Sequence, residues 1–306
     1  RGLGDVYKRQ ILYNGFLKHV GDYWKNDTNI ILSTCDPQLL DQSKNNLIWQ
    51  HISYDQRNAQ MMNDTNFIDM VDYFVYVSNW QLEQYKQRFP IDTCKNFVLK
   101  NAIEPIDFVE KPTDKIRLIY TSMPFRGLDI LLDAFDLINN DDIELVIYSS
   151  NVIYGTSYSN AVGHHYNALF NRCKTTKNIS YKGYAMNKAV KKAIQSAHIL
   201  AYPSTFEETS CLAAIEAGAA GCKIVTTDLG ALPETCDNWA TYVPFTTNRQ
   251  ELVHNYAETL KKEIDNYSPS CYNIKEQSDW FNDQYSWINR ANEWHTLLRG
   301  INENSL

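Results

Sequence analysis

The chain has 306 residues, 44% hydrophobic and 21% charged, which is enough apolar matter for two α/β domains with cores of their own. Its formal net charge of -7 argues against the basic footprint of nucleic-acid binding, and it has no run of eighteen apolar residues to span a bilayer, although surface contact with a membrane stays open. The cysteines, at 35, 94, 173, 211, 222, 236 and 271, are odd in number and contain no C-x-x-C pair, a pattern of reduced thiols in a cytosolic protein that argues against a zinc module.

In chain order, residues 1–10 (RGLGDVYKRQ) show no continuity with the residues after them; they read as a translated adaptor and are set aside from fold reasoning. Residues 47–51 (LIWQH) form a short apolar strand pattern ending at His51, and 72–78 (DYFVYVS) form another, after which Asn79-Trp80-Gln81 opens a helix. Residues 97–99 lead into Asn101-Ala102-Ile103. The run 116–120 (IRLIY) reads as a strand, followed by the turn 121–127 (TSMPFRG). An amphipathic helix over 128–138 comes next, with apolar residues at 128, 131, 132, 135 and 138. Asp141-Asp142 form a polar turn rather than a metal site before a strand at 143–148. The stretch 149–163, with Tyr154, Gly155, Tyr158 and Gly163, reads as irregular and suits a flap. Residues 179–182 are a strand, Gly183-Tyr184-Ala185-Met186 a turn, and Asn187 the N-cap of a helix to Ala197. Trp280, Trp287 and Trp294 recur every seven residues, which predicts one apolar face in a C-terminal helical region.

The richest stretch is 198–235. Residues 198–202 (HILAY) are a buried parallel strand ended by Pro203, and Thr209-Ser210 are N-cap candidates for a helix through Leu212, Ile215 and Glu216 that Gly218 and Gly221 loosen. A second strand lies at 223–227. A strand, a turn and a helix opening with small residues collect unpaired N–H groups and the positive end of the helix dipole, a site suited to phosphate. Phosphate repels carboxylates, so Glu208 and Glu216 are expected to accept from hydroxyls instead, Glu208 from a sugar beyond the phosphates and Glu216 from a ribose before them.

Pro203, Ser204, Glu208, Glu216, Ala217, Gly221, Val225, Thr227, Gly230, Pro233 and Glu234, in register, resemble the Glu-x7-Glu motif of retaining glycosyltransferases of the GT-B fold, family-4 type (glycosyl transferases group 1). Ser210-Cys211 stand where that family has a glycine-bearing pair, and Lys223 replaces a common proline. Arg126-Gly127 resembles the end of the family's basic turn, which holds a diphosphate. Thr121 or Ser122 occupies the place of an earlier arginine, so one positive charge is missing. Gly183-Tyr184-Ala185 resembles the turn whose backbone faces the nucleotide base, and Asp228-Leu229-Gly230 comes next in the family's order. Upstream, the strand ending at His51, the run Val75 to Trp80 and Asn101-Ala102-Ile103 resemble its first domain, with Ala102 in place of glycine.

The resemblance implies an α/β protein of GT-B architecture, two Rossmann-like doubly wound domains facing across a cleft with the first incomplete. It implies a partial acceptor-side domain over 11–108, a donor domain over 109–283, and a helix within 284–306, around 285–298, crossing back to the first. The implied activity moves a sugar from a nucleotide diphosphate-sugar to a glycan, lipid-linked or other acceptor with retention of configuration, using neither metal nor cofactor. Glu208 and His51 would be catalytic, although a lone histidine at a strand end is equally well structural. Arg126, Gly127, Gly183, Tyr184, Ala185, Ser210, Cys211, Leu212 and Glu216 would bind the donor, with Cys211 a packing residue rather than a nucleophile. A cytoplasmic place is implied, with contact at the inner face of a membrane left open. GT-B chains begin with a strand and a glycine-bearing loop; none is seen here, so the chain is expected to lack its first strands and to expose a sheet edge. A GT-B sugar-nucleotide epimerase, a phosphorylase, and a degenerate domain that only binds a nucleotide sugar remain alternatives.

Overall fold

The computed structural model describes residues 3–91, 95–151, 156–268 and 273–303, with backbone alone for 3–9 and 156–164. The chain divides into two compact units, one of residues 9–104, 208–211 and 284–306, the other chiefly of 105–207 and 212–283.

The first of these holds a parallel sheet of β1 (Thr28–Leu32), β2 (Asn45–Trp49), β3 (Tyr73–Tyr76) and β4 (Lys95–Val98), in that order. Its helices include α1 (Leu3–His19) from Arg9 onward, α2 (Thr65–Asp69) and α3 (Asn79–Arg88). Residues 3–10, set aside above as a translated adaptor, form the opening turns of α1. All four residues of β3 are buried, as expected of a parallel strand covered on both faces. Ser78 ends that strand's extension and caps α3 by accepting from the Gln81 amide at 3.0 Å. On one side of the sheet Ile48, Phe74 and Tyr76 pack with Phe67, Ile68 and Tyr85.

The second unit has six parallel strands. In chain order its elements are β5 (Ile116–Tyr120), α4 (Leu128–Ile138), β6 (Ile143–Ile147), α5 (Thr156–Thr175), β7 (Ile179–Tyr181), α6 (Asn187–Ser196), β8 (Ile199–Tyr202), α7 (Leu212–Ala219), β9 (Lys223–Thr227), α8 (Leu232–Cys236), β10 (Ala240–Val243), α9 (Arg249–Asp265) and α10 (Ile274–Gln284). The strand order is β10-β9-β8-β5-β6-β7. The chain starts in the middle at β5, builds outward to β7, then returns to lay β8 on the other side of β5. The order therefore reverses between β5 and β8, and open α/β sheets bind ligands outside the carboxyl ends of the strands at such a switch point. Arg172 and Arg249 both reach Asp133 at 2.6 Å, tying α5 and α9 to α4.

Of the stretch expected to be irregular, residues 152–155 lie outside the described residues, but from Thr156 the backbone is the 20-residue helix α5. Gly163 sits inside it, and one interior glycine costs only about 1 kcal/mol. The cap position of α6 is Met186 rather than Asn187, because the Met186 carbonyl already accepts helical bonds from Ala189 and Val190. Gly218 does not loosen a helix end: a Cβ there would lie 2.4 Å from the Phe281 ring, so the glycine permits close packing.

The tryptophan heptad is not one face. The chain breaks at Tyr285-Ser286, and Ser286 caps a new helix, α11 (Trp287–Asn302), by accepting from the Asn289 amide at 3.1 Å. Trp280 is on α10 in the second unit, whereas Trp287 and Trp294 are on α11 in the first. Trp294 is fully buried, 4.9 Å from the Phe16 ring of α1 and 4.8 Å from Trp49 of β2, so α11 completes the aromatic core of the first unit. Among the described residues no helix is long and apolar enough to cross a membrane.

Candidate active site

In the second unit the turns leaving β5 and β8 are locked together. Gly127, at φ +94°, is the cap of α4, and a Cβ there would lie 1.9 Å from the Pro203 carbonyl oxygen. Only glycine fits both the left-handed backbone and that approach. The neighbouring Arg126 has its guanidinium carbon 4.5 Å from the centre of the Phe206 ring and 5.6 Å from that of Phe125. These rings meet edge to face, 5.9 Å apart, and the Thr205 hydroxyl donates to the Phe125 carbonyl at 3.3 Å. Ring faces attract the cation without using its in-plane N–H groups, which keep the planar geometry that recognises phosphate. The exit of β8 is held from below: the Thr226 and Thr227 hydroxyls donate to the Tyr202 and Ser204 carbonyls, each at 2.7 Å.

Glu216 is half-buried on α7, with Lys191 of α6 at 4.0 Å from its carboxylate. No pattern in the sequence marks this lysine, since two charges on different helices carry no mutual spacing. Gly183, at φ +63°, turns the chain out of β7, leaving Tyr184 exposed and Ala185 half-buried. Leu212 is the first residue of α7.

In the first unit His51 lies just beyond β2. Its backbone N–H donates to the Ser33 hydroxyl at 2.9 Å, its Nδ1 lies 3.2 Å from the same oxygen, and its ring is 4.6 Å from Trp49. Ser33 itself is left-handed, φ +52°, which folds the end of β1 toward β2. The segment Glu208–Cys211 belongs to this unit. The Thr209 hydroxyl donates to the His51 carbonyl at 3.1 Å, and the Thr209 carbonyl accepts from Ser78 at 2.7 Å. Thr209 is therefore a tether and not the cap expected for α7. Glu208 beside it is buried at 4% exposure, Cys211 is buried and Ser210 half-buried.

The structure thus brings the two catalytic candidates, His51 and Glu208, into one unit together with Ser210 and Cys211. It places Arg126, Gly127, Gly183, Tyr184, Ala185, Leu212 and Glu216 in the other. Thr209, Ser33, Ser78, Phe206 and Lys191 support these positions; the sequence marks Thr209 only as a cap candidate and Ser78 only within the run from Val75 to Trp80, and no pattern singles out the other three. Burial pushes the Cys35 and Cys173 thiols up to about 11, which makes them packing groups rather than nucleophiles at neutral pH.

The family described as glycosyl transferases group 1 matches residues 103–278. Among solved structures, the chain is 14% identical to the pneumococcal O-GlcNAc transferase GtfA, crystallised with UDP and GlcNAc, at a TM-score of 0.65, covering 92% of this chain and 59% of that one. It is 15% identical to sucrose-phosphate synthase from Thermosynechococcus elongatus, with a TM-score of 0.68 and coverage of 87% and 70%. A glycosyltransferase from Rickettsia africae ESF-5 gives 16%, 0.67, and 96% and 82%. The chain thus spans less than two thirds of the pneumococcal protein, and at these identities the likeness is one of fold. No curated protein is significantly similar to it in sequence.

Proposed function

The chain belongs to the glycosyl transferases of group 1 and has the GT-B fold, and from that premise we propose that it moves a sugar from a nucleotide diphosphate-sugar to a glycan or lipid-linked acceptor. The observation that carries the reading is the interlock of Gly127 with Pro203, which holds Arg126 against Phe206 where the strand order reverses. In this reading the Arg126 guanidinium and the first amides of α7 offset the charge that grows on the leaving diphosphate, with no metal called on. Glu216 accepts from the ribose hydroxyls. Glu208 and His51 are assigned to the transferred sugar, Glu208 by accepting from its hydroxyls. Retention of configuration comes with the Glu-x7-Glu resemblance, and contact with a membrane surface goes with a lipid-linked acceptor. The pneumococcal relative crystallised with UDP supports a nucleotide diphosphate donor.

Calorimetry of the whole chain with UDP- and GDP-sugars, followed by assay of donor hydrolysis or transfer, tests the proposal. Binding of one donor class with release of its nucleoside diphosphate is expected. Silence in both assays with both classes overturns it.

A further inference from the structure

At the carboxyl ends of β5 and β6, among the described residues, buried side-chain polar atoms have no hydrogen-bond partner: Oγ1 of Thr121, Oγ of Ser149, and both Oδ1 and Nδ2 of Asn151. Ser149 is 1% and Asn151 3% exposed. The strand ends adjoin, since Tyr120 pairs with Ile147 and the Tyr148 amide donates to the Tyr120 carbonyl at 2.9 Å. The segment is also held in place, the Tyr181 hydroxyl donating to the Ser149 carbonyl at 2.9 Å. Neighbouring hydroxyls at this end are satisfied: Ser122 meets Tyr202 at 3.3 Å, and Ser204, Thr226 and Thr227 donate to carbonyls. The orphans are therefore a local feature and not a general looseness of the sheet end.

Burying an amide with every hydrogen bond unmet is disfavoured, so a held segment that keeps one points to a ligand that completes it. The chemistry of that ligand is limited by the groups present. Asn151 offers N–H donors beside a carbonyl acceptor, and each hydroxyl can do either. Phosphate only accepts and would leave Oδ1 unmet. β6 also lies between β5, whose turn carries Arg126, and β7, whose turn carries Gly183.

Resting on the glycosyltransfer reading above, we infer that Thr121, Ser149 and Asn151 form a neutral subsite for a paired donor and acceptor on the uncharged part of the nucleotide sugar. That pair is supplied by the nucleoside or by hydroxyls of the sugar. Of the three residues, Thr121 alone falls at the place, shared with Ser122, where the family resemblance has an arginine.

Isothermal calorimetry of the full chain with UDP, GDP, UDP-N-acetylglucosamine and GDP-mannose tests this, comparing wild type with Asn151→Ala and Ser149→Ala. Asn151→Ala is expected to weaken the bound nucleotide by about tenfold or more, as loss of two hydrogen bonds implies. Its urea midpoint should be unchanged or higher, because no internal bond is lost. Equal weakening of the nucleoside diphosphates and the sugar nucleotides assigns the subsite to the nucleoside; weakening of the sugar nucleotides alone assigns it to the sugar. Unchanged affinity in both variants, or a lowered urea midpoint for Asn151→Ala, overturns the subsite while leaving the transfer reading in place. A wild-type chain that binds none of the four ligands overturns both.

Discussion

The hydroxyl of Thr209 donates to the backbone carbonyl of His51 at 3.1 Å, joining residues 158 positions apart in sequence. Ser78 completes the attachment by donating to the Thr209 carbonyl at 2.7 Å. Two short bonds thus fix where Glu208 emerges relative to the ends of β2 and β3.

Replacing Thr209 with valine keeps the branched shape and removes the donor. Unfolding in urea should show a loss of about 1 kcal/mol, the usual net worth of one such bond. Under the proposed function, turnover should fall while donor affinity holds. Unaltered stability and turnover in this variant would remove Thr209 from the site's support.

Gly127→Ala meets two obstacles at once. The left-handed backbone alone costs roughly 1–2 kcal/mol for a residue with a side chain. The new Cβ would in addition sit 1.9 Å from the Pro203 oxygen, so one of the two turns has to move. A denaturant midpoint well below wild type, with nucleotide binding impaired, is the expected outcome. A variant as stable as wild type would contradict the interlock.

Glu216→Ala and Glu208→Ala should separate binding from turnover. Hydrogen bonds to a charged group are worth about 1.5–3 kcal/mol, so Glu216→Ala should weaken nucleoside diphosphate binding by roughly 10- to 100-fold. Glu208→Ala should cost mainly turnover. Calorimetry and a donor-release assay on the same preparations decide the matter, and wild-type values in both variants would refute the assigned roles.

His198 gives a prediction about pH. Burial holds its pKa below the ordinary imidazole value, with nearby Lys111 and Arg117 acting in the same direction and the Pro112 hydrogen bond opposing them. Its Nδ1 accepts from the Arg117 amide at 2.9 Å and its Nε2 donates to the Pro112 carbonyl at 2.8 Å, so the neutral ring is the form that fits. As pH falls below about 6.5 the unfolded chain takes up a proton that the folded chain refuses, so stability present above that pH declines toward the folded pKa. Urea midpoints between pH 7.5 and 5 should drop, and His198→Gln should flatten that slope. An identical slope in the variant would show that other groups set it.

Most strands and helices between residues 116 and 235 are legible in sequence because a local apolar pattern sets them; α5, which begins in a stretch that reads as irregular, is not among them. β5 and α4 fall where IRLIY and the 3.6-residue spacing of 128–138 place them. The Glu-x7-Glu stretch is legible for the same reason, being one continuous strand, turn and helix. Local patterns mislead where a long-range contact overrides them. The regular spacing of Trp280, Trp287 and Trp294 conceals a helix break at Ser286, and Gly218 looks like a helix terminator until Phe281 is seen against it. The partners of the candidate site belong to tertiary structure alone. Thr209 with His51, Arg126 with Phe206 and Lys191 with Glu216 are brought together by folding, and no periodicity along the chain records a pair whose members lie on different elements. The same holds for the orphaned atoms of Asn151, since burial without a partner is a property of the packed fold and not of any residue type.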